Sequence, residues 1–357
     1  MSEALGQPSD ADATLISGDS VVGEVVGMGR LAPGKTFAER YLLLVRLGAG
    51  EAGIVYAAHD SRLDRKVAIK LLRPPIGDRI ARAAERTAAI SHPNILAVHE
   101  LGSVHEVAFV VMELVEGGSL REWLDASPHP WPLALELFRK IGAGLAAAHR
   151  GGLIHGDFRP SSVLLTEQLD PRIADFGVAD AIDDSRPAKR GAARRLDEAA
   201  DALTAPLSPT EQRRGAWAYH APEREPDQPA DAGADQFGFC VALYEALYGE
   251  RPFEGTSLRA IASAIAEGRV KQPQGSKVPA WLRGVVLRGL AHDPRQRWPS
   301  MDALLEALEH GQKSPRRRLA AGLGVFIIVL TAALATAQCS RSEDSSHLDP
   351  PKAEFDP

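Results

Sequence analysis

Two aspartates carry the first chemical signal in this chain. Asp157 lies in His155-Gly156-Asp157-Phe158-Arg159-Pro160-Ser161-Ser162-Val163-Leu164, and Asp175 opens Asp175-Phe176-Gly177. Phosphoryl transfer from a nucleoside triphosphate to a hydroxyl uses such a pair: one carboxylate orients the attacking hydroxyl, and the other holds Mg²⁺ on the phosphates. An isolated Asp at a turn more often caps that turn. A second feature lies upstream, in Gly48-Ala49-Gly50-Glu51-Ala52-Gly53-Ile54-Val55. Glycines let a backbone approach phosphate oxygens with no Cβ in the way. The same spacing serves dinucleotide binding, but there it must open a helix. Here Ile54, Val55 and Tyr56 follow, which predicts a strand. Taken alone, these glycines also fit an ordinary hairpin with a loose loop. Lys70 closes the apolar run Val67-Ala68-Ile69-Lys70. A strand lysine is usually a solvated edge residue; one inside an apolar strand just after a glycine-rich hairpin points to phosphate handling instead.

These residues need a scaffold. Strands are expected at Tyr41–Leu47, Ile54–Ala58, Lys66–Leu72, Leu96–Ser103 and Val107–Glu113, with a helix over Arg79–Ile90 stopped by His92-Pro93-Asn94. After Gly117-Gly118 the pattern turns helical. Leu137, Ile141, Leu145 and Ala148 lie at helical spacing within Leu133–His149. Further helices are expected at Ala234–Tyr248, Leu258–Glu267, Pro279–Leu290 and Ser300–Glu309. A sheet-rich lobe followed by a helical lobe is an α+β, bilobal arrangement, and the cleft between lobes is where a nucleotide would bind.

Composition bounds the rest. The chain has 357 residues, a formal net charge of −6 and two cysteines, Cys240 and Cys339. There is no basic excess to suggest nucleic acid and no disulfide framework, as suits a reducing compartment. Residues 1–40 are rich in Gly, Ser, Asp and Ala and read as a flexible leader with no signal peptide. Residues 319–337, LAAGLGVFIIVLTAALATA, carry no charge. As a helix they would span about 28 Å, matching the hydrocarbon core of a bilayer. Lys313 and Arg316-Arg317-Arg318 fall in the linker 310–318, so the positive-inside rule keeps that side in the cytoplasm. A buried C-terminal helix is the alternative. The acidic tail 338–357 would lie outside the cell membrane, too short and polar to fold alone.

With its glycine run, Val-Ala-Ile-Lys, Asp157, Asp-Phe-Gly and Ala221-Pro222-Glu223 in order, the stretch Tyr41–Glu309 resembles the bacterial, Hanks-type serine/threonine protein kinases. The resemblance implies a bilobal kinase-like domain over 41–309 that uses ATP with Mg²⁺ or Mn²⁺ and acts on protein substrates. It also implies a single-pass anchor in the cytoplasmic membrane and is compatible with a homodimer. Carried over residue by residue, it makes Asp157 the base, with Arg159 and Lys70 also catalytic. Gly48, Gly50, Gly53, Val55, Ala68, Lys70, Glu113 and Leu164 would surround the nucleotide, and Asp175 and Ser162 would hold metal. Glu223 would pair with Arg297, and Asp235 would tie its helix to the catalytic loop.

The pattern also departs from the family. Ala83 stands where a helix Glu should pair with Lys70. Glu85, two residues on, should face away, because two residues turn an α-helix by about 200°. Ser162 replaces a metal-binding Asn, Arg159 a Lys, Gly156 an Arg that docks loop phosphate, and Ala216 a Thr that helps place the substrate hydroxyl. Lys189–Arg214 is a long insert in which Thr204, Ser208 and Thr210 are candidate phosphosites, or simply a solvated loop. Three readings therefore stand: a working protein kinase, a pseudokinase scaffold that holds nucleotide, and a small-molecule phosphotransferase. The Ala-Pro-Glu segment and helical tail speak against the third.

Overall fold

The computed structural model describes residues 33–49, 53–72, 77–104, 107–177, 218–224, 230–255, 258–273 and 276–311. Two compact units divide the chain, Met1–Leu305 and Glu306–Pro357, and only 306–311 of the second are described. Gly50, the insert Lys189–Arg214, Ala216 and the uncharged run 319–337 lie outside the described residues. Among the described residues, no helix is long and apolar enough to cross a membrane.

The first lobe is one antiparallel sheet in the order β1-β2-β3-β4-β6-β5. Its strands are β1 (Thr36–Phe37), β2 (Tyr41–Ala49), β3 (Gly53–Asp60), β4 (Arg65–Leu72), β5 (Val98–Val104) and β6 (Val107–Glu113). The five expected strands are present. The sixth, β1, corrects the reading of 1–40 as leader throughout: Phe37 pairs with Tyr41, is buried, and sets its ring edge-on to Phe109 at 5.1 Å. A two-residue strand has no period for a sequence pattern to reveal.

Side-chain alternation gives the sheet two functions. Phe37, Tyr41, Leu43, Ile54, Tyr56, Val67, Ile69, Leu71 and Phe109 fill one face as a core. Lys70 and Leu72 point to the other face, which helix α1 (Gly77–Ala88) covers through Ala81 and Ala84. Val55 and Val110 oppose Lys70 in register, so they share that face. One step of register slip would bury the Lys70 charge in the apolar core.

A buried ion pair clamps the hairpins. Arg40 donates from Nε and Nη2 to the two Asp60 oxygens at 2.7 Å each, and Asp60 also accepts from the Arg62 backbone. Hydrogen bonding from Arg40 brings the Asp60 carboxyl down to about 2, against the burial that would raise it. A carboxyl lowered on folding stabilises above its unfolded value near 3.8, and that contribution disappears as pH falls through about 2. Denaturant titrations across pH 5 to 2 should show about 2 kcal/mol of stability lost through this group. Asp60→Asn should flatten that slope.

The second lobe begins at α2 (Leu120–Ala126), a helix absent from the sequence expectations. Ser119 caps it by accepting from Glu122 N, and the Glu122 carboxylate accepts from Ser119 N at 2.6 Å. This reciprocal cap should make Ser119→Ala cost about 1 kcal/mol, readable as a shifted urea midpoint at unchanged slope. Next come α3 (Trp131–Arg150), α4 (Ala232–Tyr248), α5 (Leu258–Ala266), α6 (Ala280–Gly289) and a helix over 301–311. Leu137, Ile141, Leu145 and Ala148 of α3 are buried, as their spacing predicts. Helix α4 is central: Phe237 to Leu247 are buried on every side, and it ends where Gly249 takes φ +72. The small hairpin β7 (Val163–Leu165) and β8 (Pro171–Ile173) links the two aspartate loops.

Candidate active site

The catalytic loop is hung from helix α4 by one buried carboxylate. Asp235 accepts from His155 N at 2.8 Å and Gly156 N at 2.9 Å, and meets His149 Nε2 at 2.9 Å. This matches the role expected for Asp235. The loop then turns sharply, with Gly156 at φ +83, a conformation that favours glycine over the family's Arg. His155 is buried against Phe158 and Phe176, so the loop core and the Asp-Phe-Gly turn are packed as one. Gly177 N donates to His155 O at 3.0 Å, closing that contact.

Asp175 stands at φ +61, left-handed backbone that costs a non-glycine residue on the order of 1 kcal/mol or more. Lys70 Nζ reaches its Oδ1 at 2.5 Å, across 105 residues of sequence. Confinement in the cleft pushes the Asp175 carboxyl up, but the Lys70 charge outweighs this and holds it below the usual carboxylate range. Among the described residues, Lys70 is thus paired with the acid Asp175. Glu85 is exposed, as the helix geometry predicts. The helix instead turns Ala84 and Thr87 into the cleft, and Ala83 packs so close that a Cβ on Gly177 would lie 3.1 Å from its own. A small cavity of about 40 Å³ opens behind Lys70, bounded by Thr87, Leu96, Met112, Asp175 and Phe176. Its walls are mainly apolar.

Asp157 has a nitrogen near each oxygen. Arg159 Nε is 3.2 Å from Oδ2, and His220 Nε2 is 3.6 Å from Oδ1. Burial raises the Asp157 carboxyl, but His220 and Arg159 together overcome this and keep it below its ordinary value. Ser162 is buried, and its Oγ donates to the Asp157 carbonyl at 3.4 Å, a long bond that turns the hydroxyl toward its own loop. The expected Glu223–Arg297 pair is present and bidentate, at 2.6 and 2.7 Å.

Strand alternation gathers Val55, Ala68 and Lys70 on one face of the sheet. Leu164, in β7, forms a backbone bridge to Ser119. Glu113 ends β6, where its carboxylate accepts from Arg172 Nε at 3.2 Å and its N–H donates to Ala97 O at 2.9 Å. Gly48 lies on β2 with open space at its Cβ position. Gly53 has a steric reason to be glycine: a Cβ there would sit 1.9 Å from Leu71 O. His220 is the site residue that sequence reasoning missed. Its only signal is its place just before Ala-Pro-Glu, sixty-three positions after the aspartate it meets.

Among the described residues, no cluster of three or more His, Cys, Asp or Glu could hold a metal by itself. The side chain of Asp175, expected to hold metal, is half-exposed.

Comparison with known proteins defines the class of protein. The profile of the protein kinase domain matches residues 41–310, so the chain belongs to the protein kinase family. It is 28% identical over 281 residues to the serine/threonine-protein kinase PrkC of Bacillus subtilis, covering 75% of this chain and 40% of PrkC. To the serine/threonine-protein kinase PknL of Mycobacterium tuberculosis it is 32% identical over 294 residues, covering 79% of this chain and 69% of PknL. The chain thus spans well under two thirds of PrkC. A solved structure of Rad53 residues 1–466 in complex with AMP-PNP superposes with a TM-score of 0.60 at 20% identity, over 74% of this chain and 64% of that one, which is a likeness of fold.

Proposed function

We propose that this chain is a serine/threonine protein kinase that transfers the γ-phosphate of ATP to hydroxyls of protein substrates. The observation that carries the reading is the Lys70–Asp175 ion pair in a chain of the protein kinase family, with the Asp157 loop packed through His155 against Phe176. The lowered Asp157 carboxyl is ionised at neutral pH and able to accept a hydrogen bond from an incoming Ser or Thr hydroxyl. That hydroxyl oxygen bonds to the γ-phosphorus, the bond to the β–γ bridging oxygen breaks, ADP leaves, and the hydroxyl proton passes to Asp157. Lys70, held on a rigid strand, supplies positive charge for the phosphates. Mg²⁺, when bound through Asp175 and with Ser162 as a candidate second ligand, supplies charge neutralisation for the phosphate oxygens.

A second reading, a nucleotide-holding scaffold without transfer, draws on two observations. Among the described residues Lys70 is taken up by Asp175, and the Ser162 hydroxyl turns to its own loop. The discriminating experiment incubates the full chain with labelled MgATP and a generic Ser/Thr-containing protein. Transfer supports the kinase; Mg²⁺-dependent ATP binding without transfer supports the scaffold. Residues 319–337 are proposed as a single membrane anchor that leaves the kinase domain in the cytoplasm, on the strength of their uncharged length and the basic residues before them. Extraction by detergent but not by high salt or carbonate would support this.

A further inference from the structure

Helix α1 bears Ala83 where the family resemblance expects an acid. Toward the sheet it presents Ala81 and Ala84, which pack beside Leu72 and Val110. Such short side chains cover little apolar area, so this face restrains the helix weakly. Its C-terminal end is held by other means. Arg86, in the last turn, donates from Nη2 to Gly152 O at 2.7 Å. A guanidinium donor makes this bond stronger than a neutral one. It also brings positive charge to the C-terminal end of α3, the negative end of that helix dipole. Gly152, at φ +69, belongs to the turn that leads from α3 into the catalytic loop. The turn itself is fixed: Gly152 N donates to His149 O at 3.0 Å and Leu153 N to Ala148 O at 2.9 Å. Ile90, just past α1, packs on the same turn, for a Cβ on Gly151 would lie 2.9 Å from its Cδ1.

We infer that Arg86 is a positioning residue: it pins α1 to the turn before the catalytic loop and so fixes the α1 wall of the cleft. That wall carries Ala83, which a Cβ on Gly177 would approach to 3.1 Å. It also carries Ala84 and Thr87, which line the cavity beside Asp175 and Phe176. Without the pin, α1 can tilt on its alanine face, and the room left for Asp175-Phe176-Gly177 changes with it. Arg86 acts through the helix and the turn, not by contact with the reacting groups. The inference rests on the kinase reading above.

The test compares the full chain with Arg86→Ala and Arg86→Lys. Arg82→Ala is the control for charge lost elsewhere on the exposed side of α1. Arg86→Ala should lower kcat about three- to tenfold, the scale of one charge-assisted hydrogen bond, with KM for MgATP within about twofold of wild type. Arg86→Lys keeps a charged donor and should recover most of the rate, and Arg82→Ala should match the wild type. A second measurement needs no turnover: hydrogen exchange of the full chain, mapped by mass spectrometry. In Arg86→Ala the amides of residues 81–90 and 151–154 should exchange several-fold faster, while those of α4 keep the wild-type rate. A wild-type kcat in Arg86→Ala overturns the positioning role and leaves the kinase reading standing. An equal loss in Arg82→Ala assigns the effect to charge alone and also overturns it. Unchanged exchange in both segments overturns the pin itself. A wild type that binds MgATP but transfers no phosphate defeats the kinase reading, and the positioning role with it.

Discussion

Asp157→Asn should reduce phosphotransfer by about 10² to 10⁴-fold while leaving MgATP affinity within a few-fold of wild type. The amide fills the same volume and keeps the loop geometry, but it cannot accept the hydroxyl proton. The loop does not depend on the Asp157 side chain for support, because Asp235 and the rings of Phe158 and Phe176 hold it. A folded protein with a dead base is therefore the expected product, and its unfolding midpoint should match the wild type. Lys70→Met makes a companion with a different signature. It removes the charge facing the phosphates, for a loss of roughly 10²-fold or more, and it also leaves Asp175 without its partner. Assays across pH should then show the Asp175 carboxyl returning upward, since Lys70 is what holds it low. Transfer that persists undiminished in both variants would mean that a contaminating kinase is being measured.

Arg297→Ala should destabilise the chain by about 3 kcal/mol or more, the cost of removing one partner from a buried ion pair. Arg297 is 2% exposed. Besides its two bonds to Glu223 it donates to Ala291 O at 2.8 Å and Gly233 O at 3.0 Å. The substitution thus orphans a carboxylate and three carbonyls, that of His292 at 3.4 Å being the third, and opens a cavity beneath Phe237, over which the guanidinium lies at 5.0 Å. A fall in Tm of roughly 6 °C or more is expected for a domain of this size. Arg297→Lys keeps the charge but not the two-pronged geometry and should recover only part of the loss. The measurement is a calorimetric or circular-dichroism melt, and a shift below about 1 °C would show that the pair contributes no more than an exposed one.

Much of this site was legible in the amino-acid order because its parts are local. A glycine-rich hairpin, an apolar strand ending in lysine and an Asp in a tight turn each announce themselves within a few residues. The α3 stripe of Leu137, Ile141 and Leu145 likewise follows from a period that one helix enforces. The Asp235 and Glu223–Arg297 assignments came instead from motif resemblance, and the geometry agrees with both. Where the sequence spoke least clearly was in short elements. Thr36–Phe37 is too brief to show alternation, and α2 rests on a capping box and one buried leucine rather than on a long stripe.

The order of residues by itself determined the lobes, the two aspartates and the faces of the strands, since backbone geometry turns spacing directly into direction. It also determined that Glu85 could not reach where Ala83 stands, because helical rotation is a local constraint. Only the tertiary structure decided what Lys70 and Asp157 meet. Lys70 turns to Asp175, and Asp157 lies between Arg159 and His220. Such partners come from segments far apart in sequence, and their pairing depends on how two lobes and a pinned loop close around a cleft. No period or motif encodes that distance; packing sets it.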